Sequence, residues 1–330
     1  IGFLHRSDFL YRWRLYRRLG IKHMTTQIAV IGSGLMGAGI AQVFAANGYT
    51  VRVYDSSEAS LQSLTTKVRN GLQNLGLDDG LAVNVKPCTE LSEAVAQADV
   101  VFEAGPEKLE IKKEIFSELA RLAPREAIFA SNTSVIPIRY IGEHLDSQVR
   151  ARIVGAHWWN PAPLIPLVEV IRTEDSADWA IDRVYDLLLS CGKLPVRVNK
   201  DVPGFVGNRL QHALWREAHA IISNGVCDAN TVDLVVKNSF GLRLPVFGPI
   251  ENADMVGLDL TLDIHSVILS DLDKSSQPLP SLTERVNRGE LGAKTGRGFL
   301  EWPAGRQAEV TERLNKHLTR MLKPQTERQK

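Results

Sequence analysis

The apolar positions of the chain fall into short runs separated by longer amphipathic stretches. Gln27 to Ile31 is an apolar run closed by Gly32; Gly34, Gly37 and Gly39 follow, and an apolar stretch to Ala46 stops at Asn47-Gly48. This pattern predicts a strand, a glycine-rich turn and a helix, with Asn-Gly as the C-terminal cap. Val51–Tyr54 is a second predicted strand, ending at Asp55, and further apolar runs lie at Val83–Val85, Val100–Phe102, Ile128–Ala130, Ile153–Ala156 and Leu194–Val198. Glu110–Leu122 carries Ile111, Ile115, Phe116 and Leu119 at helical spacing before Pro124 stops it, and Ala177–Ser190 is another amphipathic helix, capped by Cys191-Gly192. Strands alternating with helices predict an α/β fold with a mostly parallel, doubly wound sheet.

The texture changes at the breaker cluster Asp201-Val202-Pro203-Gly204. A domain boundary is therefore expected near residue 200, with residues 24–200 forming the sheet domain and residues 201–305 an all-helical C-terminal domain. Phe205–Ser223 is long enough to be its central helix, and residues 306–330 read as a charged tail helix.

No apolar run approaches the roughly 20 residues that a membrane-spanning helix needs, so no membrane partner is expected. The formal net charge of +1 conceals an asymmetry. Six of the 39 basic residues (Arg6, Arg12, Arg14, Arg17, Arg18, Lys22) but one of the 38 acidic ones (Asp8) lie in residues 1–23, leaving 33 basic against 37 acidic residues in the body. That balance argues against a nucleic-acid partner. The leader precedes the first methionine, Met24, and reads as a tag or mis-called start, a targeting segment or a basic arm; it is left out of the fold argument. Cys88, Cys191 and Cys227 are too widely spaced for a zinc site or a disulfide scaffold, which points to a reducing compartment, the cytoplasm, and to no metal.

Four constellations carry candidate chemistry. Gly32-x-Gly34-x-x-Gly37 lies between strand and helix, with Asp55 at the end of the next strand. The first glycine permits the tight turn, the second lets a pyrophosphate approach the backbone, and the third lets helix and strand pack. Leu35 and Met36 open the helix whose N-terminus would meet the phosphates, and Asp55 would accept from the ribose hydroxyls and repel a 2′-phosphate, so NAD is the expected cofactor. His157-Trp158-Trp159-Asn160-Pro161 follows a strand, and Glu169 lies within the alternating run Leu167–Ile171. On an apolar face Glu169 needs a partner; an imidazole would be held in one tautomer by it and left free to take a hydroxyl proton, although a structural His and a salt-bridged Glu fit the same pattern. Ser131-Asn132-Thr133-Ser134 sits at a strand's carboxyl end, where ligands bind, or serves as a helix cap. Asn208, in the run from Pro203 to Arg209, faces either a cleft or solvent.

Taken together, these residues resemble the L-3-hydroxyacyl-CoA dehydrogenase family, from about Ile28 to Trp302. The family runs H-F-F-N-P, L-V-E-V-I, S-N-T-S and D-x-P-G-F-x-x-N-R are matched by His157–Pro161, Leu167–Ile171, Ser131–Ser134 and Asp201–Arg209, and Gly248-Pro249, Asp254–Asp259 and Lys294–Phe299 add further matches. The resemblance implies a Rossmann domain followed by a helical domain that forms a homodimer. It implies His157 as general base, Glu169 as its orienting partner, Ser134 and Asn208 as donors to the reacting oxygens, and Glu107, Lys112 and Asn132 as NAD contacts. The activity it implies is NAD-dependent oxidation of a short-chain 3-hydroxyacyl-CoA to the 3-keto product.

Two departures concern the substrate. Members acting on acyl-CoA carry a Lys before L-V-E-V-I, where this chain has Pro166, and a lysine-rich helix after the ribose-binding Asp, where residues 56–80 hold only Lys67 and Arg69. Both features resemble the lambda-crystallin and gulonate dehydrogenase branch. Alternatives are therefore a dehydrogenase of a free 3-hydroxy acid, or a non-catalytic NAD-binding protein of the crystallin kind.

Overall fold

The computed structural model describes residues 26–322, so the basic leader lies outside the described residues. The described residues divide into two compact units, residues 26–208 with 317–322 and residues 209–316.

The first unit is built on one sheet of eight strands: β1 Ile28–Ile31, β2 Val51–Tyr54, β3 Val85–Cys88, β4 Val100–Glu103, β5 Ile128–Ser131, β6 Ile153–Trp158, β7 Leu167–Ile171 and β8 Leu194–Val198. Their order is β3-β2-β1-β4-β5-β6-β7-β8. Every neighbouring pair is parallel except β6 and β7, which run antiparallel. Helices α1 Leu35–Ala46, α2 Glu58–Asn74, α3 Leu91–Val95, α4 Leu109–Leu122, α5 Ile138–Gly142, α6 Ser147–Arg150 and α7 Asp178–Ser190 complete the doubly wound α/β unit. Alternate strand residues feed opposite faces: Ile28, Val30, Val100 and Phe102 join one core with residues of α1, α2 and α7, while Ala29, Ile31, Val101 and Phe129 join another with α3, α4 and α5.

One predicted strand is displaced. Residues 79–84 form a 3-10 helix rather than the start of a strand, because the Asp78 carboxylate accepts from the Gly80 N–H at 2.9 Å and tightens the turn. β3 begins only at Val85 and tolerates Pro87 because it is the sheet's edge strand.

α8, Gly207–Ser223, leads into the second unit, which continues with α9 Ala229–Asn238, α10 Phe240–Arg243, α11 Pro249–Val256, α12 Leu258–Ile268, α13 Pro280–Asn287 and the part of α14, Arg306–Leu322, that precedes His317. Isolated bridges pair Gly292 with Arg297 and Arg297 with Glu301. None of α9 to α13 contains a buried residue. Among the described residues no helix is long and apolar enough to cross a membrane.

Candidate active site

The strand order reverses direction between β1 and β4, and their carboxyl ends open the crevice in which doubly wound sheets bind ligands. The glycine turn lies there. Gly32 has φ +100°, and a Cβ on it would stand 2.6 Å from the Ala104 carbonyl oxygen; one on Gly37 would stand 1.9 Å from the Gly32 carbonyl oxygen. Only glycine lets α1 come this close to β1. Gly34 is different: a Cβ there would meet nothing within 4 Å, so its outer face is open. α1 starts at Leu35 without a side-chain cap, leaving its first N–H groups to an anionic ligand, beside the exposed Leu35 and the part-buried Met36. Asp55 is locked to this turn: one oxygen accepts from the Ser33 N–H (2.6 Å) and hydroxyl (2.9 Å), the other from the Ser57 N–H (2.8 Å). An open glycine face, an uncapped helix start and a fixed carboxylate are the features a dinucleotide requires.

At the ends of β4 and β5 lies a buried charge network. Glu103 accepts from Lys112 Nζ (2.7 Å), the Gly105 N–H (2.7 Å) and the Ser131 hydroxyl (2.6 Å), and it and Lys112 are almost fully buried. Lys112 also lies 3.6 Å from Glu107. Glu107 Oε1 accepts from the Thr133 hydroxyl (2.6 Å) and the N–H groups of Ser134 (2.9 Å) and Val135 (3.1 Å). Burial works against an ionised Glu107, but these donors and Lys112 outweigh it and hold its pKa below the ordinary value. Glu107 and Lys112 thus shape the loop that carries Ser134. Asn132, also nearly buried, accepts from the Trp158 N–H at 2.8 Å and ties the end of β5 to β6.

The antiparallel pairing of β6 with β7 sets His157 directly opposite Glu169. Cross-strand neighbours have Cβ atoms about 5 Å apart, and here the side chains meet: His157 Nδ1 donates to Glu169 Oε2 at 2.7 Å, both residues being buried. Glu169 Oε1 accepts from the N–H groups of Val206 and Gly207, each at 3.0 Å, where α8 begins. Burial pushes the Glu169 carboxyl up, but the His157 hydrogen bond and the two backbone donors outweigh it, and the net shift is downward. An ionised Glu169 fixes Nδ1 as the protonated nitrogen and leaves Nε2 as the proton acceptor. Asn208, in the first turn of α8, donates from Nδ2 to the Ser134 carbonyl at 2.8 Å. His157, Glu169, Ser134 and Asn208 are thereby brought into one linked group.

Sequence reasoning passed over four contributors. Glu103 closes β4 as Asp55 follows β2, a carboxylate at a strand's carboxyl end, and that position was the available signal. Ser33 lies inside the glycine turn. Phe205 has φ +51°, a strained conformation for a bulky residue, and its ring centroid lies 5.7 Å from that of His157. Lys193 is buried and donates to the Ala162 carbonyl and, at 2.9 Å, to that of Ile165, anchoring the loop after His157. Among the described residues no cluster of His, Cys, Asp and Glu could hold a metal ion.

Residues 27–202 match the family described as 3-hydroxyacyl-CoA dehydrogenase, NAD binding domain, and residues 204–302 match its C-terminal domain. The chain belongs to the 3-hydroxyacyl-CoA dehydrogenase family. As a member it is an NAD-dependent oxidoreductase that acts on a hydroxyl group. It is 36% identical over 299 residues to the 5-formyl-3-hydroxy-2-methylpyridine 4-carboxylate 5-dehydrogenase of Mesorhizobium japonicum, covering 89% of this chain and 96% of the relative. It is 38% identical over 285 residues to a probable 3-hydroxybutyryl-CoA dehydrogenase of Bacillus subtilis, covering 84% and 97%. A crystal structure of a 5-formyl-3-hydroxy-2-methylpyridine 4-carboxylic acid 5-dehydrogenase, described as an NAD+ dependent dismutase, superposes with a TM-score of 0.83 at 33% identity over 90% of this chain and 97% of that one.

Proposed function

We propose that the protein oxidises a secondary hydroxyl β to a carboxylate on a compact acid that is not carried on coenzyme A. The observation that carries the chemistry is the His157–Glu169 pair, held across the β6–β7 ladder and pinned to the start of α8 by two backbone hydrogen bonds. His157 Nε2 takes the proton of the substrate hydroxyl, Glu169 stabilises the imidazolium that results, and Ser134 and Asn208 donate to the reacting oxygens. NAD, when bound, supplies the hydride acceptor; Gly32, Gly34, Leu35, Met36, Gly37 and Asp55 would hold it, and Glu107, Lys112 and Asn132 match positions that contact it in the family.

The choice of a free acid rests on charge. Residue 166 is Pro and residues 56–80 offer only Lys67 and Arg69, so the phosphates of coenzyme A have few cations to meet. The similarity to an enzyme whose name specifies a free pyridine carboxylate supports the same reading. The second reading, a short-chain 3-hydroxyacyl-CoA, is supported by the family description and by the Bacillus relative.

The test is NAD reduction with L-3-hydroxy acids and with L-3-hydroxybutyryl-CoA side by side. Turnover of a free acid is expected, falling by about 10²- to 10⁴-fold in His157→Ala; turnover of the thioester alone would overturn the free-acid reading. Asp55→Ala is expected to weaken NAD binding and to relax selection against NADP, read by titrating both cofactors. We further propose a homodimer built through the helical unit, whose apolar side chains are exposed in the single chain. The free thiols at Cys88, Cys191 and Cys227 suit a reducing, cytoplasmic setting.

A further inference from the structure

The two adjacent tryptophans after His157 have different fates. Trp158 is core: it is 2% exposed and packs against Phe44 and Phe102, with ring centroids 5.9 and 6.1 Å away. Trp159 is only part-buried, and its ring centroid lies 5.1 Å from that of His157, the imidazole being flanked by Trp159 and Phe205. The six-membered edge of this indole occupies the space a side chain at position 207 would fill. A Cβ on Gly207 would stand 2.3 Å from Trp159 Cζ2 and 3.0 Å from Cη2, within the rigid ring system rather than at the end of a flexible chain. Gly207 cannot simply move aside, because its N–H is one of the two that hold Glu169. The same short segment therefore orients the base and makes room for the indole beside it.

We propose that Trp159, admitted by Gly207, is the specificity-determining wall of the substrate pocket, and that it selects a hydroxy acid whose body is a flat aromatic or heteroaromatic ring. This rests on the free-acid reading given above. An indole face next to the reacting group offers a ring-shaped substrate an offset or edge contact that a flexible aliphatic chain cannot match, worth about two- to tenfold in affinity. A quaternary ammonium would also be drawn to an indole face. Glu169, the carboxylate behind the imidazole, already accepts from His157, Val206 and Gly207, which leaves it engaged by the protein rather than available to a cationic substrate.

The experiment compares kcat/KM for 3-hydroxy-3-phenylpropanoate, 3-hydroxybutyrate, L-carnitine and L-3-hydroxybutyryl-CoA in the wild type, Trp159→Leu, Trp159→Tyr, Gly207→Val and Trp159→Phe/Gly207→Val. The wild type is expected to favour the aryl acid over 3-hydroxybutyrate. Trp159→Leu should lower that ratio two- to tenfold, mainly through KM for the aryl acid, while Trp159→Tyr keeps it. Gly207→Val should displace the indole, lowering the ratio and the turnover of both acids, and the double variant, whose smaller ring leaves the valine room, should regain turnover and part of the aryl preference. An unchanged ratio in Trp159→Leu overturns the inference, as does a preference for L-carnitine. Oxidation of 3-hydroxybutyrate but not of the aryl acid overturns this inference and leaves the free-acid reading intact; turnover of the thioester alone, or of none of the four, overturns both.

Discussion

The two units of this chain use apolar residues in opposite ways. In the first, both faces of the sheet are covered, Phe44, Phe102, Phe116 and Phe129 are fully buried, and even the buried charges of Glu103 and Lys112 find partners. In the second, α12 alone exposes Leu258, Leu260, Leu262, Ile264, Val267 and Ile268. A helix apolar on so many sides has the pattern of a buried one. The first unit thus carries the glycine turn and the His157–Glu169 pair on a core complete within one copy. The second carries surplus apolar surface, which the proposed second copy would cover.

The contrast breaks most visibly in the cores. Phe116→Ala should cost about 3–5 kcal/mol in denaturant unfolding, whereas Val267→Ala should cost less than about 0.5 kcal/mol in a dilute monomer; equal losses would show that the two units are not different in kind. Lys112→Met leaves Glu103 buried and unpaired and is expected to cost about 3–5 kcal/mol, with a matching drop in Tm. Leu262→Asp sharpens the other side: light scattering should show a shift from dimer to monomer with little change in helix content, and a parent that is already monomeric at every concentration would sink the dimer.

A further effect concerns pH. Burial lowers the Lys193 pKa from 10.5 to about 8, opposed by Cys191. Between those values the unfolded chain holds more protons than the folded one, so this group's contribution to stability rises with pH across the window, by up to about 1.4 kcal/mol per unit. Below about 8 the cost of burying the charge is fully present. Urea melts from pH 7 to 9 should show that slope in the wild type and its loss in Lys193→Met; above 9 the buried Cys191 thiol, pushed up to about 12, contributes a slope of opposite sign.

Much of this was legible in the chain because local chemistry and fold agree. The glycine spacing, Asp55 and the alternation around Glu169 each state a backbone requirement or a buried partner within a few residues. The sequence pattern also placed Glu169 on an apolar face, but not the antiparallel turn of β7 that brings His157 opposite. Long-range pairing carries no local signal. For the same reason the network that joins Glu107 and Lys112 to Glu103 is not readable from the sequence, where Glu103 looks like the last residue of an apolar strand. The 3-10 turn at 79–84 was missed because its cause is one side-chain hydrogen bond, from Asp78.

Since His157 and Glu169 meet across a ladder rather than along a helix, their spacing is independent of how many residues lie between Trp158 and Leu167. That connection, Trp159 and Pro166 included, can change in length or composition without altering the pairing of His157 with Glu169. A shift of β7 by a single residue would instead put Val168 or Val170 opposite the imidazole and silence the enzyme. The register of β6 and β7, rather than the length of the connection, is what sets His157 against Glu169.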